Sequence, residues 1–460
     1  MASKLLRTSL ILNQIPRRFK SSHNEASFRG ALDAIPPTEL SVCNNNLKVA
    51  SQSLDTDTTT VGVFIQAGSR YEEPSQHGAC NLISRLFFKG TTKRAAADIQ
   101  AEIAKIGAKL HAETSRELTA VYGTCLNKDV PKLIEILSDV VQNAKFNDAE
   151  LEQAKNEALR EHADIEPNLP QITMDYLHHT AFMDTPLAQN RLGPQKNIKS
   201  FQSKDLKYFV DTHFKSSRAV LAAAGGVNHR ELQQMAEQHL GQLDDSFDGG
   251  PTGILTKCRY TGSEFRIRDD SIPVAHIAYG VKGCSMDSTD RLPLDIATAL
   301  LGKWHRSEGQ NEDTLEGVLN FEAFNHCYTG TGLFGVYGVV DDIMKCIDFC
   351  ETIIYNFHRL TRQIPDADLQ TARNRLINKH LINTDGTRGN CIDIGKQVSE
   401  LGYRVSVKDY IEAVEKTGND TIRQTVEKYT NNKCQVISTI GKNENLQDYQ
   451  LLRNMMYKWF

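Results

Sequence analysis

One segment of this chain occurs twice. Phe146-Asn147-Asp148-Ala149-Glu150-Leu151-Glu152-Gln153-Ala154-Lys155-Asn156 returns as Ile364-Pro365-Asp366-Ala367-Asp368-Leu369-Gln370-Thr371-Ala372-Arg373-Asn374, with Asp, Ala, Leu, Ala and Asn in matching places 218 residues apart. Self-similarity at long range is a primary fold signal. Both copies predict a helix whose acidic first turn suits the positive end of the helix dipole. The segments before them also correspond. Leu118 to Leu126 reads as a strand, and Asp129-Val130-Pro131 then starts an amphipathic helix through Leu133, Ile136, Leu137 and Val140. In the other copy Gly332 to Val340 reads as a strand, and Asp341-Asp342 starts a helix through Ile343, Cys346, Ile347, Cys350 and Ile354. Earlier still, Val61 to Gly68 resembles His276 to Gly283. Three corresponding segments in one order predict an α+β fold of two homologous halves. Each half would be a mostly antiparallel sheet covered by helices on one face. The halves span 45–240 and 258–460. The joint, 241–257, is where Asp244-Asp245-Ser246-Phe247-Asp248-Gly249-Gly250-Pro251 breaks all periodicity.

The first twenty residues differ in kind from the rest. They carry Lys4, Arg7, Arg17, Arg18 and Lys20, and no acid occurs before Glu25. Leu5, Leu6, Leu10, Ile11 and Leu12 add an apolar element. A basic, acid-free, part-apolar start is the profile of a mitochondrial presequence. It predicts a cut between Lys20 and Ser21, leaving 21–44 as an N-terminal extension. The whole chain has a net charge of −4, which argues against a nucleic-acid surface. The longest apolar run, Ala219 to Val227, falls well short of the roughly 20 residues a membrane span needs, so membrane association would come through partners. Ten cysteines are scattered without a Cys-x-x-Cys pair and read as free thiols in a reducing compartment. There is no Cys-x-x-Cys-His, so no haem is attached by that motif.

The stretch His77 to Thr91 carries the chemical question. It predicts a helix ending at Lys89-Gly90-Thr91, with Asn81, Ser84 and Arg85 at i, i+3 and i+4 on one face. Inverted zinc peptidases place His, Glu and His at that spacing. Zinc needs neutral imidazole or ionised carboxylate donors, and its water needs a base. Asn81 is a poor ligand, Ser84 cannot be the base, and Arg85 is always cationic. A later helix, Leu151 to Ile165, offers Glu161. His77 precedes the first helix, and His162 lies about 100° around its helix from Glu161, so neither is expected to rebuild a site.

At this point the chain resembles the pitrilysin-type family, in the branch that holds mitochondrial processing peptidase β subunits and the core 1 proteins of respiratory complex III. The resemblance runs from about Val49 to Phe460. It rests on Gly68-Ser69-Arg70-Tyr71-Glu72, Phe88-Lys89-Gly90-Thr91, Arg259-Tyr260-Thr261-Gly262-Ser263-Glu264 with Arg268-Asp269-Asp270, Tyr328 with Thr331-Gly332-Leu333, Asp393-Ile394-Gly395, and the ending Met455-Met456-Tyr457-Lys458-Trp459-Phe460. It implies two pitrilysin-type halves. It also implies that the family's two histidines fall on Asn81 and Arg85, its base on Ser84 and its third ligand on Glu161. Ala154 stands where active relatives carry another acid. The zinc site is then degenerate, with no metal and no catalytic residue.

The implied role is a structural subunit on the matrix side of the mitochondrial inner membrane. Its implied partners are a core 2-type subunit, cytochrome b, a c-type cytochrome and the Rieske subunit. Haems and the iron–sulfur cluster would sit on those partners, and no cofactor on this chain. A presequence peptide is a further implied partner. Two alternatives stay open: a β-type processing peptidase subunit, and a non-catalytic presequence-binding protein. If Glu161 faces the old pocket it needs a counter-charge, because a buried unpaired carboxylate is costly. Arg85 is placed to supply it.

Overall fold

The computed structural model describes residues 30, 32–246, 258–308, 317–342 and 344–457. The expected presequence with its Lys20/Ser21 cut, most of the joint, and residues 458–460 lie outside the described residues. Thr38–Phe460 forms one compact unit, and it contains two six-stranded sheets. The first holds β1 (Glu39–Val42), β2 (Lys48–Ser53), β3 (Thr58–Ile65), β4 (Lys109–Thr114), β5 (Thr119–Leu126) and β6 (Ala219–Gly225), in the order β1-β2-β6-β3-β5-β4. The second holds β7 (Glu264–Arg268), β8 (Ala275–Gly283), β9 (Lys303–His305), β10 (Val318–Tyr328), β11 (Thr331–Val340) and β12 (Gln435–Gly441), in the order β7-β12-β8-β11-β10-β9. Each sheet is antiparallel except for one parallel pair, β2 with β6 and β7 with β12. In each, the last strand of the half inserts between two strands made much earlier. The repeated segment forms a matching pair of 18-residue helices, Asp148–Ile165 and Asp366–Asn383.

Strand alternation sends two sets of side chains to opposite faces. Val61, Val63, Ile65, Leu221 and Ala223 join a core with the helices Ala79–Leu86, Val130–Gln142 and His229–Leu240. Phe64, Val220, Ala222 and Ala224 belong to a different cluster on the other face. Burial on both faces explains the unbroken apolar run of β6, since a doubly covered strand has no polar side.

The helix that covers this second face comes from the other half. Cys391, Ile394 and Val398 of the helix Gly386–Leu401 pack with Phe64, Tyr122 and Ala222. Gly395 allows the approach, because a Cβ there would stand 2.3 Å from the Phe64 ring. Thr60 and Thr387 share a hydroxyl hydrogen bond of 3.0 Å, and Arg388 Nη2 donates to Tyr122 Oη at 2.8 Å. The favour is returned. Leu177 and Ala181 of the helix Leu169–Ala181, with Phe182, pack with Ala278, Leu333 and Val436 of the second sheet.

Two expectations are corrected here. Helices cover both faces of these sheets, not one, because each half lends a helix to the other. The segment 21–44 is not wholly an extension. Its strand β1 pairs antiparallel with β2, Leu40 opposite Ala50, and its backbone groups find partners in the sheet.

Gly395→Val tests the cross-half contact. Phe64 is fully buried and cannot swing aside, so overpacking should lower stability by about 1–3 kcal/mol. Urea unfolding of the purified chain would show it, and an unchanged midpoint would contradict the packing described.

Candidate functional site

The site begins with the helix Ala79–Leu86, and Glu72 fixes where that helix starts. Its Oε2 accepts from Gly78 N at 2.9 Å and its Oε1 from Cys80 N at 2.7 Å. A carboxylate there satisfies the free N–H groups of the first turn and faces the positive end of the dipole. Burial pushes the Glu72 carboxyl up to about 7, against the lowering effect of those two N–H bonds.

On this helix Asn81 is buried, 1% exposed, and its Oδ1 accepts from Arg191 Nη1 at 3.2 Å. Ser84 Oγ turns back to donate to the Asn81 carbonyl at 2.8 Å, so its hydroxyl is spent within the helix. Arg85 Nη2 donates to Glu161 Oε2. The other oxygen of Glu161 accepts from Arg191 Nη2 at 2.5 Å. Glu161 is therefore held from two sides by two guanidiniums. Burial raises its carboxyl, but the bonds and charges of Arg191 and Arg85 outweigh burial and hold it below its usual range. Glu157, one turn back, lies 3.9 Å from both Arg85 and Lys89. Ala154 is fully buried in the first core.

The contact expected between Arg85 and Glu161 is present. Arg191 was not foreseen. It lies in the irregular stretch between Ala188 and Gln195, and no periodicity ties that stretch to Glu161. The signal available was chemical: a carboxylate has two oxygens, and one Arg at the edge of a helix need not fill both. Glu72 stood in a quoted motif, but its role depends on a turn that only the folded chain shows.

These donors do not fit a zinc ion. The place where Asn81, Arg85 and Glu161 meet offers one amide oxygen, one carboxylate already bound on both oxygens, and two fixed positive charges. Among the described residues no three His, Cys, Asp or Glu side chains converge as a group able to hold a metal. His77 Nε2 donates to the Asn190 carbonyl oxygen, 2.9 Å away. It and His162 line a neighbouring cavity of about 960 Å³. Burial lowers both imidazoles. Glu72, Glu73, Glu166, Asp175 and Asp184 also line this cavity, and among the described residues no Lys or Arg does.

Residues 48–195 match the family model described as insulinase, peptidase family M16, and residues 200–376 match the one described as peptidase M16 inactive domain. The β subunit of the mouse (Mus musculus) mitochondrial-processing peptidase is 37% identical over 434 residues, covering 92% of this chain and 88% of that protein. This chain belongs to the M16 peptidase family. Human cytochrome b-c1 complex subunit 1 is 35% identical to this M16 chain over 450 residues, covering 96% of it and 94% of the relative. A chain of complex III2 from Candida albicans, solved with Inz-5 bound, superposes with a TM-score of 0.81. It covers 91% of this M16 chain and 100% of its own length at 21% identity, a likeness of fold. The first family model falls within the first half, and the second begins at residue 200 in the last part of that half, crosses the joint and ends in the second half.

Glu161→Gln leaves both arginines facing a neutral amide. The expected loss is about 1–2 kcal/mol, less than for a fully buried pair because a quarter of the Glu161 side chain is exposed. The sign follows from the lowered carboxyl. Its stabilisation is fully present above the ordinary value of 4.5 and is lost as pH falls through the lower folded-state value. The stability gap between the native chain and Glu161→Gln should therefore close in acid. Calorimetry at neutral and acidic pH would reveal a gap that widened instead.

Proposed function

We propose that this M16 chain is a structural, matrix-side core subunit of respiratory complex III and performs no peptidase chemistry. The observation that carries the reading is the double guanidinium hold on Glu161. In this reading Asn81, Ser84, Arg85 and Glu161 are the remains of a zinc site, and Arg85 and Arg191 have replaced the metal's charge. A fixed ion pair needs no exchangeable ligand and gives a rigid wall. Likeness to a cytochrome b-c1 subunit over nearly the whole chain supports the assignment. The partners would be a core 2-type subunit, cytochrome b, a c-type cytochrome and the Rieske subunit. Those partners, and not this chain, would carry the haems and the iron–sulfur cluster. Among the described residues no helix is long and apolar enough to cross a membrane, so attachment to the inner membrane would run through them. The chain's part would be assembly and stability of the electron-transfer complex.

Two observations favour a second reading, a processing-peptidase β subunit or a non-catalytic binder of presequences. Identity to the peptidase β subunit is as high as to the cytochrome subunit. The large cavity beside Glu161 is lined by five carboxylates and, among the described residues, by no Lys or Arg, which suits a basic peptide.

The experiment is native electrophoresis of mitochondrial membranes in mild detergent, with subunits identified by mass spectrometry and zinc measured in the purified chain. Co-migration with a haem-bearing complex and substoichiometric zinc are the expected results. One bound zinc per chain together with presequence cleavage would favour the peptidase.

A further inference from the structure

Cys284 and Cys327 stand at the ends of two strands of the second sheet, and their Sγ atoms are 3.6 Å apart. Their closeness is built into the backbone. A parallel bridge joins Ser285 to Tyr328, with Met286 N donating to Tyr328 O at 3.0 Å. One residue back along both segments, the thiols of Cys284 and Cys327 meet. Gly332 makes room for this convergence. A Cβ on it would stand 2.3 Å from the Cys284 carbonyl oxygen and 2.7 Å from that of His326.

A disulfide needs Cα atoms about 4.4–6.8 Å apart and sulfurs about 2.05 Å apart. The sulfurs already touch, and side-chain rotations that close about 1.5 Å between them bring them to bonding distance. All ten cysteines are free thiols; Cys284 is buried and Cys327 half-buried. The hydrogen bond from the Cys327 thiol favours the thiolate of Cys284 and draws it down, while the same bond raises Cys327. A thiolate beside a thiol is the arrangement that lets one sulfur be oxidised and the other resolve it.

We propose that Cys284 and Cys327 are a peroxide-sensitive dithiol that closes to an intrachain disulfide. The Cys284 thiolate attacks one oxygen of hydrogen peroxide and breaks the O–O bond. Cys284 becomes a sulfenic acid and hydroxide leaves. Cys327 sulfur then attacks Cys284 sulfur, the S–O bond breaks, and water departs with the Cys327 proton. The hydroxide takes the proton that Cys284 gave up on ionising. Two thiols are oxidised to one disulfide, and one peroxide is reduced to two waters.

The bond would act on a turn that joins the halves. Directly after Cys327, Tyr328 Oη shares a 2.8 Å hydrogen bond with His178 Nε2. Thr329 N donates to Glu117 Oε1 at 3.0 Å, and Thr329 O accepts from Arg70 Nη1 at 2.9 Å. Closing the disulfide pins the base of this turn to β8.

The test uses the intact folded chain, treated with hydrogen peroxide, blocked with an alkylating reagent and digested without reductant. Mass spectrometry should find the Cys284 and Cys327 peptides joined and lighter by two hydrogens, and a phosphine reductant should part them. Recovery of both as alkylated thiols, when exposed Cys434 in the same sample is oxidised, would overturn the proposal. So would a bond from either residue to a different cysteine. In Cys327→Ser, Cys284 should stall as a sulfenic acid that dimedone traps. Should that variant fail to fold, mapping of the unaltered chain decides alone.

Discussion

Neither half of this protein completes its own sandwich. The face of the first sheet that carries Phe64, Ala222 and Ala224 closes, among the described residues, against the helix Gly386–Leu401. The second sheet closes with help from Leu169–Ala181. Both exchanges depend on small side chains. Gly395 lies on the Phe64 ring, and β6 offers alanines where a larger residue would hold the helix away. Polar groups then fix the register of the exchange. Arg404, nearly fully buried, donates to Gln52 Oε1 at 2.8 Å, to Asn390 Oδ1 at 2.7 Å and to Asp393 Oδ2 at 3.1 Å. A buried guanidinium is tolerable only when its donors are satisfied. This one therefore ties a correct exchange to a large penalty for a wrong one.

The site inherits its rigidity from that frame. Glu72 sets the start of the helix Ala79–Leu86, and the core under Leu82, Ile83 and Leu86 sets its rotation. Arg85 and Glu161 are thus delivered to each other by packing, and Arg191 closes the triad from a loop. Two cations around one carboxylate leave an excess positive charge, which Glu157 at 3.9 Å partly offsets. The neighbouring cavity has the opposite sign. A positive wall beside an acidic hollow is an electrostatic boundary, and it lies where the two helices meet.

Much of this was legible in the chain. The Asp-Ala-x-Leu-x-x-Ala-x-Asn echo announced two halves, since a helix start is written locally by its acidic turn and apolar spacing. The frame of Asn81, Ser84 and Arg85 was equally local. What escaped was relational. Nothing in the composition of Gly386–Leu401 says which sheet it will cover, because its partners are alanines and a phenylalanine in a distant segment. β1 was missed because four mostly exposed, weakly patterned residues look like a tail until a neighbour pairs with them. Arg191 escaped because loops carry no period.

The exchange of helices also sets an order of events in the making of the protein. Thr60 of the sheet and Thr387 of the helix that covers it touch in the finished protein but are separated by 327 residues. A ribosome delivers the whole first half before the helix that must cover it. Until then the alanine face of β6 and the ring of Phe64 stand bare, and contacts of such long range form slowly. The nascent first half therefore shows this apolar face to solvent until the helix Gly386–Leu401 has been made, and a chain that ends before residue 386 lacks the helix that covers it.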